Sequence, residues 1–274
     1  MSIQYPVVSE IAYKTWCINE FGMDAMFLIE GDEKALLIDT GTGTFDLKTL
    51  VSQLTNKEVI VALTHGHVDH AGGIKQFKDI YLHEDDYEMA SNVSLQDRQE
   101  YADLLINMSE GVFEPVTCID WKEEPAFHPL KEGDVFELGN RDVVVYETPG
   151  HTQGSISFLD CKQRILFSGD ACNPNTLLLD TYEKNSISTL KNSAQKMLSL
   201  QQFFDRHFNG HIGYAGFINF SSLPDRLIED AIVLADKISS GEDKGEVVDN
   251  PFGGQCLLSK YGTLQIQYKK ENVR

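Results

Sequence analysis

The tightest constraint on this chain lies in seven consecutive residues, Thr64-His65-Gly66-His67-Val68-Asp69-His70. Three imidazoles and one carboxylate crowd together directly after residues 59–63, a short apolar run rich in β-branched side chains. Such a run reads as a strand buried on both faces. Side chains alternate along a strand, so at its end His65 and His67 point to one side and can converge on one ion. The turn that follows, through Ala71-Gly72-Gly73, lets Asp69 and His70 face a second ion. Imidazoles and carboxylates together suit divalent metals such as Zn²⁺, Fe²⁺ or Mn²⁺.

The same setting, a ligand-type side chain beyond an apolar strand or between glycines, recurs downstream. Thr148-Pro149-Gly150-His151-Thr152 follows a strand pattern at 143–146, and its Pro and Gly make a tight turn that presents His151. Phe167-Ser168-Gly169-Asp170 ends another apolar run on Asp170. Asn209-Gly210-His211-Ile212-Gly213 holds His211 between glycines. Each alone is a weak signal. With the first segment they complete a set of His65, His67, His70, His151, His211, Asp69 and Asp170.

Around these motifs, strand patterns run over 25–30, 35–39, 134–138, 155–159 and 165–167, and helical spacing over 45–54 and between about 84 and 110. Tyr101, Leu104, Leu105 and Met108 form an apolar stripe in the second of these helical regions. Further helices are expected at 187–204 and 223–239. The latter has Ser222 as its N-cap, Asp225 completing a capping box and Gly241 past its end. A hairpin is expected around Lys260-Tyr261-Gly262. The order strands, helix, strands, helix occurs twice. Two stacked sheets with helices outside satisfy it economically. Residues 1–274 then form a single domain, with a boundary between its halves near 125–130 and a helical insertion at about 84–113.

A chain of 274 residues can bury a full core. The 23 basic and 42 acidic side chains give a net charge of −19, which repels nucleic acid and anionic membrane. No apolar run reaches the roughly 20 residues of a membrane span. The first residues lack the pattern of a signal peptide, and the five cysteines are scattered without a CxxC pair. A cytoplasmic protein with no nucleic-acid or membrane partner is expected, and a homodimer is compatible with this reading.

These motifs closely resemble those of the metallo-β-lactamase superfamily. The HxHxDH signature is His65-Gly-His67-Val-Asp69-His70, and the LIDTG stretch is Leu37-Ile38-Asp39-Thr40-Gly41. TPGHTQGSI stands at 148–156, FSGD at 167–170 and NGHIG at 209–213. The resemblance covers about residues 11–215 in order. It implies an α/β architecture, an αββα sandwich of two mixed β-sheets flanked by helices, with the site at the edge between the sheets. It also implies one metal on His65, His67 and His151, a second on Asp69, His70 and His211, and Asp170 bridging them. Asp39 would steady a ligand histidine or the loop beneath it.

The resemblance implies a dinuclear hydrolase with two divalent ions, Zn²⁺ foremost and Fe or Mn as alternatives. A water shared by the ions is acidified toward neutrality and attacks a carbonyl, with Asp69 moving a proton. Glyoxalase II-like enzymes and acyl-CoA thioesterases are the most similar branches, so a small thioester is the expected substrate. A lactonase and an iron-dependent persulfide dioxygenase are the alternatives. His83, His128 and His207 fall outside the motifs and are expected to be structural or exposed. Cys172, Tyr182 and Tyr214 lie near them without an assigned role.

Overall fold

The computed structural model describes residues 6–179, 184–213, 217–250 and 253–274, so Tyr182 and Tyr214 lie outside the described residues. Seven strands form the first sheet in chain order: β1 (Val7–Ala12), β2 (Thr15–Glu20), β3 (Asp24–Glu30), β4 (Lys34–Ile38), β5 (Glu58–Ala62), β6 (Asp79–Leu82) and β7 (Ala126–Pro129). The first four pair antiparallel, and β4 through β7 pair parallel. Parallel neighbours need crossovers. These contain α1 (Leu47–Leu54), then α2 (Val68–Ala71), then α3 (Tyr87–Ser91) and α4 (Leu95–Met108).

The second sheet contains β8 (Val135–Glu137), β9 (Asp142–Glu147), β10 (Ile156–Asp160), β11 (Ile165–Phe167) and β13 (Arg206–Phe208), in the spatial order β13-β11-β10-β9-β8. A third sheet joins β12 (Leu177–Leu178) to β14 (Glu246–Asp249), β15 (Gln255–Tyr261) and β16 (Leu264–Tyr268). The expected tail hairpin is β15–β16, turning at Gly262 with φ +56°. The expectation of two sheets did not extend to this third one.

Period-two alternation builds the layers. On β3, Ala25, Phe27 and Ile29 face Val143, Val145, Phe158 and Phe167 of the second sheet, forming the core between the sheets. The intervening Met26 and Leu28 pack with Leu47 and Val51 of α1 on the opposite face. Leu159 and Leu166 point away from the second sheet toward α5 (Ile187–Ser199) and α6 (Leu227–Ser240). Both sheets are therefore covered on both faces, as an αββα sandwich requires.

Two helix boundaries differ from expectation. The helix expected over 187–204 ends at Ser199, and a 3₁₀ turn, Gln201–Phe203, follows. The helix expected from 223 starts at Leu227 after Arg226, without a side-chain cap. Ser222 is occupied elsewhere: its hydroxyl accepts from the His207 N–H at 3.0 Å, tying the approach to α6 onto β13. The C-terminal reading holds, with Gly241 left-handed at φ +76°.

Arg141, in the turn between β8 and β9, clamps the two sheets. It pairs with buried Asp160 on β10, and its guanidinium also donates to the Lys14 and Glu30 carbonyls of the first sheet, both at 2.9 Å. Removing one partner of a buried pair leaves an uncompensated charge, so Arg141→Met is expected to cost about 3–5 kcal/mol. Urea denaturation reads this directly. A midpoint unchanged from the parent would show that the clamp contributes nothing.

Candidate metal centre

β9 and β11 are both antiparallel to β10, and β13 is parallel to β11, so β9, β11 and β13 run the same way. The segments after their C-terminal ends carry His151, Asp170 and His211 to one edge of the second sheet. β5 delivers His65 to His70 to the same place, and backbone bonds stitch the two sheets there. Ile156 N donates to Thr64 O at 2.8 Å, Ala25 N to Gly210 O at 2.8 Å and Ile212 N to Met23 O at 2.8 Å. The fit is close. A Cβ on Gly210 would meet His70 Cε1 at 2.3 Å, so only glycine lets this turn lie against the histidine.

Three imidazole nitrogens converge at one point: His67 Nδ1 lies 3.1 Å from His65 Nε2 and 2.9 Å from His151 Nε2. The far sides of two rings explain why these atoms are lone pairs. His151 Nδ1 donates to the Leu178 carbonyl of β12 at 2.8 Å, so the third sheet sets that ring. Thr64 Oγ1 donates to Asp39 Oδ2 at 2.8 Å and therefore accepts from His65 Nδ1 at 3.0 Å. Bare nitrogens aimed at one another are unfavourable unless a cation lies between them.

A second convergence adjoins the first. His70 Nε2 lies 3.5 Å from Asp69 Oδ2 and 3.6 Å from Asp170 Oδ1, and His211 Nε2 lies 2.7 Å from Asp170 Oδ2. His70 Nε2 and Asp170 Oδ1 are buried with no hydrogen-bond partner. Such orphaned polar atoms are costly unless something satisfies them. The potential ligand atoms fall into three triads, His65–His67–His151, His65–His70–Asp170 and Asp69–His70–His211, each within 4.8 Å. The structure thus brings together all seven side chains singled out in the sequence, in a donor set that fits divalent ions.

Electrostatics separate the histidines into two kinds. Burial and the neighbouring imidazoles push His65 well below the ordinary value, and burial foremost lowers His67 to about 3. Burial acts the same way on His70 and His211, but adjacent carboxylates override it and raise both. Asp69 and Asp170 are buried too, yet those histidines hold them well below the usual carboxylate range.

Asp39 lies behind the cluster, as expected: it accepts from Thr64 N at 2.7 Å and from His70 Nδ1 at 2.9 Å. Three contributors were not foreseen. Asp86 accepts from Gly66 N at 3.0 Å, Gly154 N at 2.9 Å and Thr152 Oγ1 at 2.7 Å, tying the His65–His67 loop to the His151 loop. The Tyr101 hydroxyl of α4 lies 3.0 Å from Asp69 Oδ2 and 3.1 Å from Asp24 Oδ1. Asp24 is fully buried, and burial raises its carboxyl to about 7. The only sequence hint was an Asp opening an apolar strand.

The remaining histidines lie apart. His207 is buried 2.7 Å from Ser168 Oγ, His128 pairs with Asp79, and His83 faces Asp85 and Glu147. Cys172 is buried in the core beside α5 and α6, where burial pushes its thiol up to about 12. The centre opens into a cavity of about 390 Å³ lined by His67, Asp69, His151, Asp170 and His211 and by one face of α4.

Among known sequences, the chain is 27% identical over 209 residues to a Gallus gallus protein named acyl-coenzyme A thioesterase MBLAC2, spanning 67% of this chain and 72% of the relative. It is 23% identical over 185 residues to hydroxyacylglutathione hydrolase GloC of Haemophilus influenzae, spanning 66% and 81%. The fold superposes on a metallo-beta-lactamase from Pontibacter korlensis with a TM-score of 0.56 at 18% identity, covering 84% of this chain and 98% of that one. The family model described as metallo-beta-lactamase superfamily matches residues 20–203. Sequence motifs, fold and the edge-on cluster agree, and the chain belongs to the metallo-beta-lactamase superfamily of metal-dependent hydrolases.

Proposed function

We propose that this protein is a dinuclear metal-dependent thioesterase acting on a small-molecule thioester. The observation that carries the reading is the pair of adjoining ligand clusters facing a mostly apolar cavity. His65, His67 and His151 would hold one ion and Asp69, His70 and His211 the other, with Asp170 between them. When bound, such ions acidify water toward neutrality and polarise a carbonyl. The relatives' names, a thioesterase and a hydroxyacylglutathione hydrolase, support the same class.

The chain's own residues favour a thiol leaving group. An alkoxide needs a proton donor to depart, whereas a thiol is acidic enough to leave as the thiolate. The Tyr101 hydroxyl is the phenol in the described cavity wall, and it is already engaged with Asp69 and Asp24. Asp69, on the cavity wall, can accept and pass on the proton of the attacking water. The surplus of acidic side chains disfavours nucleic-acid substrates.

Three measurements test this reading. Saturating reconstitution with Zn²⁺ is expected to give two ions per chain by elemental analysis. One ion per chain would count against the dinuclear centre, and one iron with oxygen uptake would instead support the persulfide dioxygenase. His67→Ala and Asp170→Ala are expected to lose metal and turnover, while His128→Ala keeps both. In a panel of acyl thioesters, lactones, β-lactams and phosphodiesters, thioesters are expected to lead in kcat/KM. Preference for any other class refutes the assignment.

Asp86→Ala is expected to weaken the His65–His67–His151 ion about 10–100-fold, as loss of ligand-supporting hydrogen bonds commonly does. Chelator competition measures the affinity, and the denaturation midpoint of the metal-free protein controls for folding. An unchanged affinity would remove Asp86 from the centre's support.

A further inference from the structure

α4 presents Tyr101, Leu104, Leu105 and Met108 to the cavity, spaced i, i+3, i+4 and i+7 along one helical face. At 1.5 Å rise per residue, Met108 stands about 10 Å along the helix from Tyr101, whose hydroxyl touches Asp69. The helix therefore draws a line from the metal ligands outward, and beyond Tyr101 that line is apolar. Met23 on the β2–β3 turn, Val68 beside the ligands and Leu178 of β12 complete the apolar part of the wall.

Leu104, Val68 and Leu178 have a further property in common. Each is only partly buried, and none belongs to any of the four hydrophobic clusters of the described residues. Core packing therefore does not account for their apolar side chains, but the cavity they border does. Asn173, Asn175, Thr176 and Gln267 supply neutral polar groups, and no lysine or arginine lines the cavity among the described residues. Away from the metal ligands, the described wall therefore offers an anionic moiety no lysine or arginine to pair with.

The helix cannot readily swing away. Arg98, one turn before Tyr101 and 4% exposed, donates to the Thr42 carbonyl at 2.7 Å and to the Ile119 carbonyl at 3.0 Å, and also bonds the Gly43 carbonyl. Leu105 packs with Phe21, Met23 and Phe113 beneath. The wall is a fixed surface of about the size of ordinary ligand pockets, roughly 300–1,000 Å³.

We propose that this wall binds the acyl chain of the substrate, with Leu104 and Met108 setting the preferred chain length, and that the substrate is a medium-chain acyl thioester whose leaving group stays outside the cavity. The assignment rests on the thioesterase reading for its chemistry, but chain binding itself does not. Each methylene buried from water contributes up to about fourfold in affinity, so selectivity grows with chain length until the wall is covered.

The test uses the Zn²⁺-loaded protein and two readouts. The first is kcat/KM for the acetyl, butanoyl, octanoyl and dodecanoyl thioesters of N-acetylcysteamine, a leaving group without charge. The second is calorimetric binding of acetate, butanoate and octanoate, which needs no turnover. Both are expected to rise from two to eight carbons. Leu104→Trp is expected to lower the octanoyl-to-acetyl ratio of kcat/KM at least tenfold, and Met108→Trp replaces it should that variant fail to fold. Carboxylate binding that climbs with length while no thioester is cleaved supports the acyl wall and refutes the thioesterase reading. Thioester cleavage with no dependence on chain length, or a ratio unmoved by either tryptophan, overturns the acyl wall and leaves the thioesterase reading intact.

Discussion

One carboxylate organises much of the centre. Asp39 follows β4 in a left-handed conformation, φ +64°, which is costly for a non-glycine residue and persists only when its surroundings enforce it. Its oxygens take the Thr64 N–H, the Thr64 hydroxyl and His70 Nδ1. The first bond fixes where the histidine loop leaves β5. The second turns the Thr64 hydroxyl so that it accepts from His65, baring that ring's Nε2. The third orients the His70 ring so that its Nε2 faces Asp69 and Asp170. Thr64 then accepts from Ile156 N through its carbonyl, so the bond network that orients two ligand rings also joins the two sheets.

Asp86 and Arg98 extend the same logic from the crossover between β6 and β7. Asp86 grips both histidine loops through backbone N–H groups, which serve whatever side chains those loops carry. Arg98 grips the loop after β4 through carbonyls. The long connection between β6 and β7 thus supplies a support for the ligands and a wall for the cavity. The apolar stripe of α4 and its anchoring Arg98 belong to one helix, so the bonds that hold Arg98 also hold the cavity wall.

The ligands were legible in the sequence because their signals are local. Ligand-type side chains crowded just beyond an apolar strand mark His65-Gly66-His67 although β5 itself ends at Ala62, and the glycines flanking His211 mark a turn whatever lies opposite. Asp24, Asp86 and the Tyr101 hydroxyl were not legible, since their partners are remote in the chain, as His211 is from Asp24 and Gly154 from Asp86, and only the fold brings them together. The start of α6 was misplaced for the same reason: Ser222 has the composition of a cap, but β13 takes its hydroxyl first. β14, Glu246–Asp249, was missed because its residues are exposed or only partly buried, so they carry no alternating pattern. That strand matters to the centre indirectly, since its sheet includes the β12 carbonyl that orients His151.

The division of the histidines shows why protons and metal ions compete at this centre. His67 stays neutral down to about 3 because burial penalises its cation. Relative to an unfolded value near 6.5, that depressed value means the neutral ring favours the fold above about 6.5 and loses this advantage as pH falls toward 3. His70 and His211 behave oppositely: raised by carboxylates, their protonated forms stabilise the metal-free fold below about 6.5, and the benefit fades as pH rises through their folded values. A metal-free centre at neutral pH therefore relies on protonated His70 and His211 to balance Asp69 and Asp170, with neutral His65 and His67 beside them. Divalent ions would replace those protons with charge placed between the lone pairs rather than on two of the rings. Metal binding must then release protons, a consequence of the imidazole–carboxylate pattern and not of any single ligand.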